Sequence, residues 1–302
     1  MASSHPISDI SWDDARLFLA VAERGSFTAA AEALALGQPT LSRRISDLEY
    51  QLGFTLFHRG KRGTTLTSDG ERLVPAARQM ARWAAELGRS IAGREQAPSG
   101  RVRLTMPPGL AVDFGAAFCK SLRSKYPELE VELLSSIAHL DLARGQADIA
   151  VRTREPTEPE LAAIHRVRMP IGAFAHRSYA ERLGPTPRPE ELAWITWSYP
   201  NEHLPPRPQL AALIPNFRPA FASDDYVVQK RACALGMGVL LLPRVRHPFE
   251  PDEGLVLIDC GLPLPEGEMF LVCAKSMEHV PRVRAVAHEL IREFDRCERI
   301  DA

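Results

Sequence analysis

The chain has 302 residues, with 37 lysines and arginines against 38 aspartates and glutamates, 45 % hydrophobic residues and 25 % charged ones. That composition belongs to a globular protein long enough for two or three cores, and it excludes a disordered chain, a collagen and a small disulfide scaffold. The polar start Met1–Ser11 has no basic segment leading into an apolar one, so no secretory signal is expected. No apolar run approaches the roughly 18 residues that a bilayer span needs, and Val239–Leu242 is far too short. Cys119, Cys233, Cys260, Cys273 and Cys297 are odd in number and never spaced C-x-x-C, which predicts reduced thiols in the cytoplasm.

The first element is a helix capped by Ser11 with Asp14 three residues on, its apolar positions Leu17, Phe18 and Val21 at helical spacing. Gly25 ends it, and Ser26 caps an alanine-rich second helix over Phe27–Leu34. Gly37-Gln38-Pro39-Thr40 starts a third, with proline in the first turn, where its missing N–H costs little. Leu41, Ile45, Leu48 and Leu52 step by four, three and four and give that helix one buried face. Leu56-Phe57, the Gly60–Gly63 tip and Thr65-Leu66 read as a hairpin, completing the order of a winged helix-turn-helix over residues 1–69.

A long helix follows over 70–97, capped by Thr67 and carrying Pro75 in its second turn, where a kink or a later start is expected. Leu73, Ala77, Met80, Ala84, Leu87 and Ile91 form a heptad seam on it, a narrow apolar stripe that predicts antiparallel dimerisation with a second copy, packing on the chain's own body being the alternative. Ala97-Pro98-Ser99-Gly100 is a hinge. Beyond it, over 98–302, strands and helices alternate: strand Val102–Met106, a helix through Phe118–Lys125, strand Val131–Leu134, helix Leu140–Gly145, strand Asp148–Val151. Strands at Ile171–Ala175, Trp194–Trp197, Val239–Leu242 and Met269–Ala274, with helices at Val227–Gly236 and Pro281–Arg296, repeat the scheme. This order predicts an α/β body with a parallel sheet, helices on both faces and two lobes. The first lobe would span about 101–168 and 275–302, the second about 169–274.

The head carries the chemistry of DNA recognition. At ~100° per residue, the face opposite Leu41, Ile45 and Leu48 presents Pro39, Ser42, Arg43 and Ser46, with Gln38 and Thr40 at the leading end. Arginine pairs with guanine and glutamine with adenine in the major groove, and serine or threonine with either bases or phosphate. The wing adds Arg59, Lys61, Arg62 and Thr65, beside His58 and Thr64, for the sugar-phosphate wall. Between Gln38 and Leu66 stand five cations against two carboxylates, a net +3 in a chain whose total is −1.

Ala29-Ala30-x-x-x-Leu34, Gln38-Pro39-Thr40-Leu41-Ser42-Arg43-Arg44-Ile45, Leu48-Glu49-x-x-Leu52-Gly53-x-x-Leu56-Phe57-x-Arg59 and Leu66-Thr67-x-x-Gly70 closely resemble the N-terminal signature of LysR-type transcriptional regulators. The resemblance continues through Lys125-Tyr126-Pro127, Ala147–Arg152 and Leu235-Gly236-x-Gly238-Val239-x-x-Leu242-Pro243, and so covers nearly the whole chain. Gly37 departs from the family's usual serine cap, at a cost of a few tenths of a kcal/mol. The resemblance implies a homo-oligomer, usually a tetramer, on promoter DNA. It also implies a body resembling type 2 periplasmic binding proteins, with a small-molecule effector between its lobes and a response read by RNA polymerase.

No H-E-x-x-H, G-x-S-x-G elbow, Walker loop or dinucleotide fingerprint occurs in the chain, so neither an enzyme, a metal site nor a cofactor is expected. Ligands of α/β sheets sit beyond the carboxyl ends of strands. Those ends supply Met106, Pro107 and Gly109, then Ser135 and Ser136, then Arg152 as the cation, and Thr196, Trp197 and Asp224 in the second lobe. His203 and Arg207 stand in a neighbouring proline-rich loop. Two other readings stay open: a DNA-binding regulator without a small-molecule effector, and a thiol-redox-responsive one.

Overall fold

The computed structural model describes residues 10–60, 63–91, 98–247, 249, 253–264 and 266–300; Lys61 and Arg62 lie outside the described residues, as do the side chains of Arg59 and Ile91. The chain divides into two compact units, Met1–Glu95 with Arg144–Gln146, and Gln96–Ala143 with Ala147–Ala302.

In the first unit α1 (Trp12–Arg24), α2 (Phe27–Ala33) and α3 (Gln38–Leu52) precede a hairpin of β1 (Phe57–Gly60) and β2 (Gly63–Leu66), followed by α4 (Ser68–Ile91). The local signals act as expected. Ser11 and Asp14 form a capping box, Gly25 ends α1 in the left-handed region, Ser26 caps α2, and Gly37 starts α3 without a side-chain cap. Leu17, Phe18 and Val21 of α1 meet Leu41, Ile45 and Leu48 of α3 in one core with Leu56 and Phe57. The hairpin is tied down by Thr64 N–H donating to Gly25 O at 3.0 Å and Thr67 N–H to Leu56 O at 3.0 Å. Gly70 is required here, because a Cβ would stand 2.4 Å from Leu56 O. The α4 helix runs unbroken through Pro75 rather than starting after it.

The second unit is a mixed sheet rather than the parallel one expected. β3 (Gly100–Met106) pairs in parallel with β4 (Leu129–Ser135) and β5 (Ile149–Arg152). β6 (Leu161–His176) is a 16-residue strand whose first part pairs antiparallel with β12 (Glu266–Ala274). Its second part pairs antiparallel with β9 (Val239–Pro243) and β11 (Leu255–Ile258). One strand therefore runs from the first lobe into the second. β12 also pairs with β5, and its Phe270, Leu271 and Val272 belong to the first lobe's core. The segment Met269–Ala274, expected in the second lobe, is thus part of the first.

Helices cover both lobes. Pro108–Leu110 (α5) continues through a π turn at Ala111–Gly115 into α6 (Ala116–Lys125), while short α7 (Arg177–Ala180) and α8 (Arg207–Leu213) belong to the second lobe. There β7 (Ile195–Trp197) and β8 (Phe221–Ser223) pair in parallel ahead of α9 (Tyr226–Ala234). α10 (Pro281–Asp295) packs on the first-lobe core, and β10 (Val245–Arg246) pairs with β13 (Glu298–Arg299). Leu140–Gly145, expected as a helix, is a turn. Only Leu142 of its apolar residues is fully buried, and Asp148 anchors the chain at once to β3 by accepting from Arg103 N–H at 2.8 Å.

Candidate nucleic-acid interface and strand-end site

The α3 helix turns its leucines inward and leaves Gln38, Pro39, Thr40, Arg43 and Ser46 exposed on the opposite side, with Ser42 half-buried. Thr65 and His58 are exposed on the wing strands, flanking the undescribed tip. Two features of this face escaped the sequence reading. Arg44 belongs to the anchoring, not to the open face: its guanidinium pairs with Asp13, and with Asp14 Oδ1 at 2.9 Å. Hydrogen bonds from Arg16 and Arg44 hold the Asp13 carboxyl below the usual carboxylate range. Glu49 Oε1 accepts from Leu56 N–H at 2.7 Å and Phe57 N–H at 3.2 Å, joining the end of α3 to the start of the wing. The net +3 counted along the sequence is thus redistributed, with Arg44 neutralised against α1 and Glu49 spent on the backbone.

The seam expected along α4 divides in two. Ala77 is buried and Leu73 half-buried in the head's own core, where Val74 and Ala81 join them. Those positions are therefore corrected from partner contacts to intramolecular packing. Met80, Trp83 and Leu87 are exposed, Leu87 by 63 %, and Ala84 is half-buried between them. Trp83 lies outside a strict heptad register, which is why the spacing alone passed over it.

In the second unit the parallel register sets Met106 opposite Ser135, and Arg152 ends β5 on the same side of β3 and β4 where chains leave the sheet. Ser136 N–H donates to Met106 O at 3.2 Å and its hydroxyl to Ala138 O at 2.9 Å. Arg152 is 5 % exposed, and its Nη2 donates to Leu140 O at 2.7 Å. The second lobe brings Thr196 and Trp197 beside Ala222 and Ser223, next to exposed Asp224. Thr196 is fully buried, and its hydroxyl has no hydrogen-bond partner among the described residues. Trp197 Nε1 donates to Pro205 O at 2.8 Å, and its own carbonyl accepts from Arg207, which also pairs with Glu202 at 3.0 Å. His203 is exposed, and its Nδ1 lies 3.1 Å from Pro200 O in its own loop.

Two contacts between the lobes were not foreseen. Gly109 lies against the ring of Tyr226, where an added Cβ would come within 2.2 Å, and the same ring stands 6.4 Å from that of Trp197. Behind it, buried Lys230 reaches Asp113 Oδ2 at 2.8 Å and Glu253 Oε2 at 3.3 Å. Burial pulls the Lys230 ammonium down, but those two carboxylates outweigh it and hold it above its ordinary value. Both pairings join residues far apart in the chain, and no local pattern announces them.

None of the five cysteines stands in a disulfide among the described residues, and burial pushes the thiols of Cys233 and Cys273 up to about 11. Among the described residues, no group of His, Cys, Asp and Glu fits a metal ion, and no helix is long and apolar enough to cross a membrane.

Residues 12–71 match the family described as bacterial regulatory helix-turn-helix protein, lysR family, and residues 95–295 match the LysR substrate binding domain. An HTH-type transcriptional regulator of Xanthomonas campestris is 33 % identical over 304 residues, covering 94 % of this chain and 85 % of the relative. The regulator PtxR of Pseudomonas aeruginosa is 30 % identical over 290 residues, covering 92 % and 91 %. Among solved structures, a full-length OxyR variant of P. aeruginosa superimposes with a TM-score of 0.66 at 20 % identity over 96 % of each chain. Full-length CbnR complexed with its target DNA gives 0.56 at 19 % identity over 94 % of this chain and all of the other. These structural likenesses speak for the fold.

Proposed function

The chain belongs to the LysR family of bacterial transcriptional regulators, DNA-binding and effector-responsive proteins, and on that premise we propose how its parts divide the work. Residues 1–69 bind DNA, 70–97 carry the contact between copies, and 98–302 bind the effector. The protein acts in the cytoplasm as a homo-oligomer, a dimer of dimers, on promoter half-sites spaced by whole helical turns of about 34 Å. α3 enters the major groove, with Gln38, Thr40, Ser42, Arg43 and Ser46 towards base edges and phosphates. The wing residues Arg59, Lys61, Arg62 and Thr65 follow the backbone.

The observation that carries this reading is the polar, open side of α3 set back to back with its buried leucines. A small molecule at the strand ends then favours one arrangement of the oligomer over another and changes head spacing and DNA bend. It does so only to the extent that it binds the two arrangements unequally, typically by about 1–3 kcal/mol. Activation or repression follows from which arrangement RNA polymerase accepts.

The test is selection of genomic fragments by the purified full chain, followed by Arg43→Ala. The wild type enriches a discrete site, and the variant loses about 1–3 kcal/mol on that site while keeping its affinity for random duplex. Equal retention of all fragments by the wild type would refute the proposal.

A further inference from the structure

Arg152 is a buried cation whose needs the protein meets only in part. A guanidinium has five N–H groups to satisfy. Here Nη2 has Leu140 O at 2.7 Å, and Nε has no acceptor among the described residues. Glu158, a carboxylate paired with it, lies 3.8 Å from Nη1 on a side chain that is itself 51 % exposed. Burial of a charge is costly unless it is paired and hydrogen-bonded. Its cost is visible in the guanidinium itself, which burial pulls below its ordinary value against the weaker opposing charges of Glu158 and Asp141. The residue stands at the end of β5, level with the exits of β3 and β4, where ligands of such sheets bind.

We propose that Arg152 is the anion-binding group of the strand-end site and that the effector presents a carboxylate to it. This rests on the effector-responsive reading above and adds the chemistry of the ligand. The guanidinium edge offers paired donors whose spacing matches two carboxylate oxygens. Arg152 is the buried cation here, Arg154 being exposed, and His139 beside it is pushed below its ordinary value by burial and by the charges of both arginines. A phosphate dianion needs more positive charge than one partly neutralised arginine supplies. In the other lobe the buried hydroxyl of Thr196, also without a hydrogen-bond partner among the described residues, suits a polar group elsewhere on an organic ligand.

Formate is the probe, small enough to enter a site of this burial and limited by its three heavy atoms to roughly millimolar affinity. The full chain is melted at pH 7 and constant ionic strength while chloride is replaced by formate, by inorganic phosphate, or supplemented with neutral formamide. Formate raises the wild-type midpoint saturably, phosphate and formamide do not, and Arg152→Met loses the response while remaining folded. If R152M does not fold, Arg152→Lys replaces it: the charge stays, the paired donors go, and formate binds at least about tenfold more weakly. An identical formate response in wild type and variant overturns the proposal, and a stronger response to phosphate overturns the carboxylate assignment. Promoter binding is measured on the same wild-type sample. A flat formate titration with intact promoter binding sinks the anion site alone, whereas loss of promoter selectivity sinks the regulator reading whatever formate does.

Discussion

Glu49→Ala separates the wing's anchoring from its contact with DNA. In the wild type one carboxylate oxygen accepts from the N–H of Leu56 at 2.7 Å and of Phe57 at 3.2 Å, both residues buried. A hydrogen bond to a charged group contributes about 1.5–3 kcal/mol, and a buried donor left without a partner costs about 1–3 kcal/mol. The second bond is long, so the sum is taken near the low end, about 3 kcal/mol. At about 1.4 kcal/mol per factor of ten, that is roughly a hundredfold increase in the local opening constant. Hydrogen exchange followed by mass spectrometry on the peptide spanning β1 reads this directly, and Glu49→Gln, which keeps an acceptor oxygen, recovers most of the protection. DNA affinity falls with E49A, yet the slope of log K against log salt stays as in wild type, because no phosphate contact is lost. Exchange at Leu56 and Phe57 within about threefold of wild type would refute the anchoring argument, as would a slope change of about one.

Three further outcomes are expected. Leu87→Glu places a charge on the exposed half of α4 and shifts the protein towards monomers in sedimentation velocity; an unchanged distribution would remove that stripe from the contact between copies. Brief treatment of the native protein with a thiol reagent at pH 7 labels Cys119 and Cys297, half-buried, and spares Cys233 and Cys273, whose thiols sit at about 11; prompt labelling of either buried thiol would revive a redox reading. Glu289 is resisted by burial but held below the ordinary carboxylate range by the hydrogen bond from Lys125 at 2.6 Å and the charge of Arg292. Its contribution is therefore complete above the unfolded carboxylate value and lost as pH falls through the lower folded one. Glu289→Gln costs up to about 3 kcal/mol at neutral pH, the low end for a buried pair because Lys125 and Arg292 are half-exposed, and its stability falls less steeply in acid. A parallel acid limb in wild type and variant would contradict the assignment.

The head was legible because its determinants are local. Caps at Ser11, Ser26 and Gly37, left-handed Gly25 and the stepping of Leu41, Ile45 and Leu48 all act within a few residues of where they stand. The body was legible in its strands but not in their directions. Alternation of apolar residues says that β12 is a strand and cannot say that it runs antiparallel between β5 and β6. A single strand shared by two lobes is likewise a matter of long-range pairing, as β6 shows. The ion pairs obey the same limit. Lys230 with Asp113 and Glu289 with Lys125 are separated by 117 and 164 positions, so neither carboxylate could be told from a solvated one by its neighbours. At the strand ends, residue type and position pointed to Arg152 and Thr196, both buried in the structure, whereas a histidine in a loop, as His203 is, carries no information about which way the loop folds.

The two halves of α4 differ in what their apolar residues have to cover, and this settles how substitutions along one continuous stripe will differ. Near the start, Leu73 and Ala77 close the core formed by α1, α3 and the wing strands, so enlarging Ala77 is an overpacking change charged to the head itself. One and two turns later the same stripe passes beyond that core, and Met80, Trp83 and Leu87 face outward. A buried position and an exposed one cannot fail in the same way. A polar residue at Ala77 must lower the stability of the head at any protein concentration, whereas a charge at Leu87 leaves that stability alone and, on the proposed contact between copies, acts with an effect that depends on concentration. The heptad pattern read as one seam is thus two stretches in series, one closed within the chain and one exposed, which the proposal gives to a second copy.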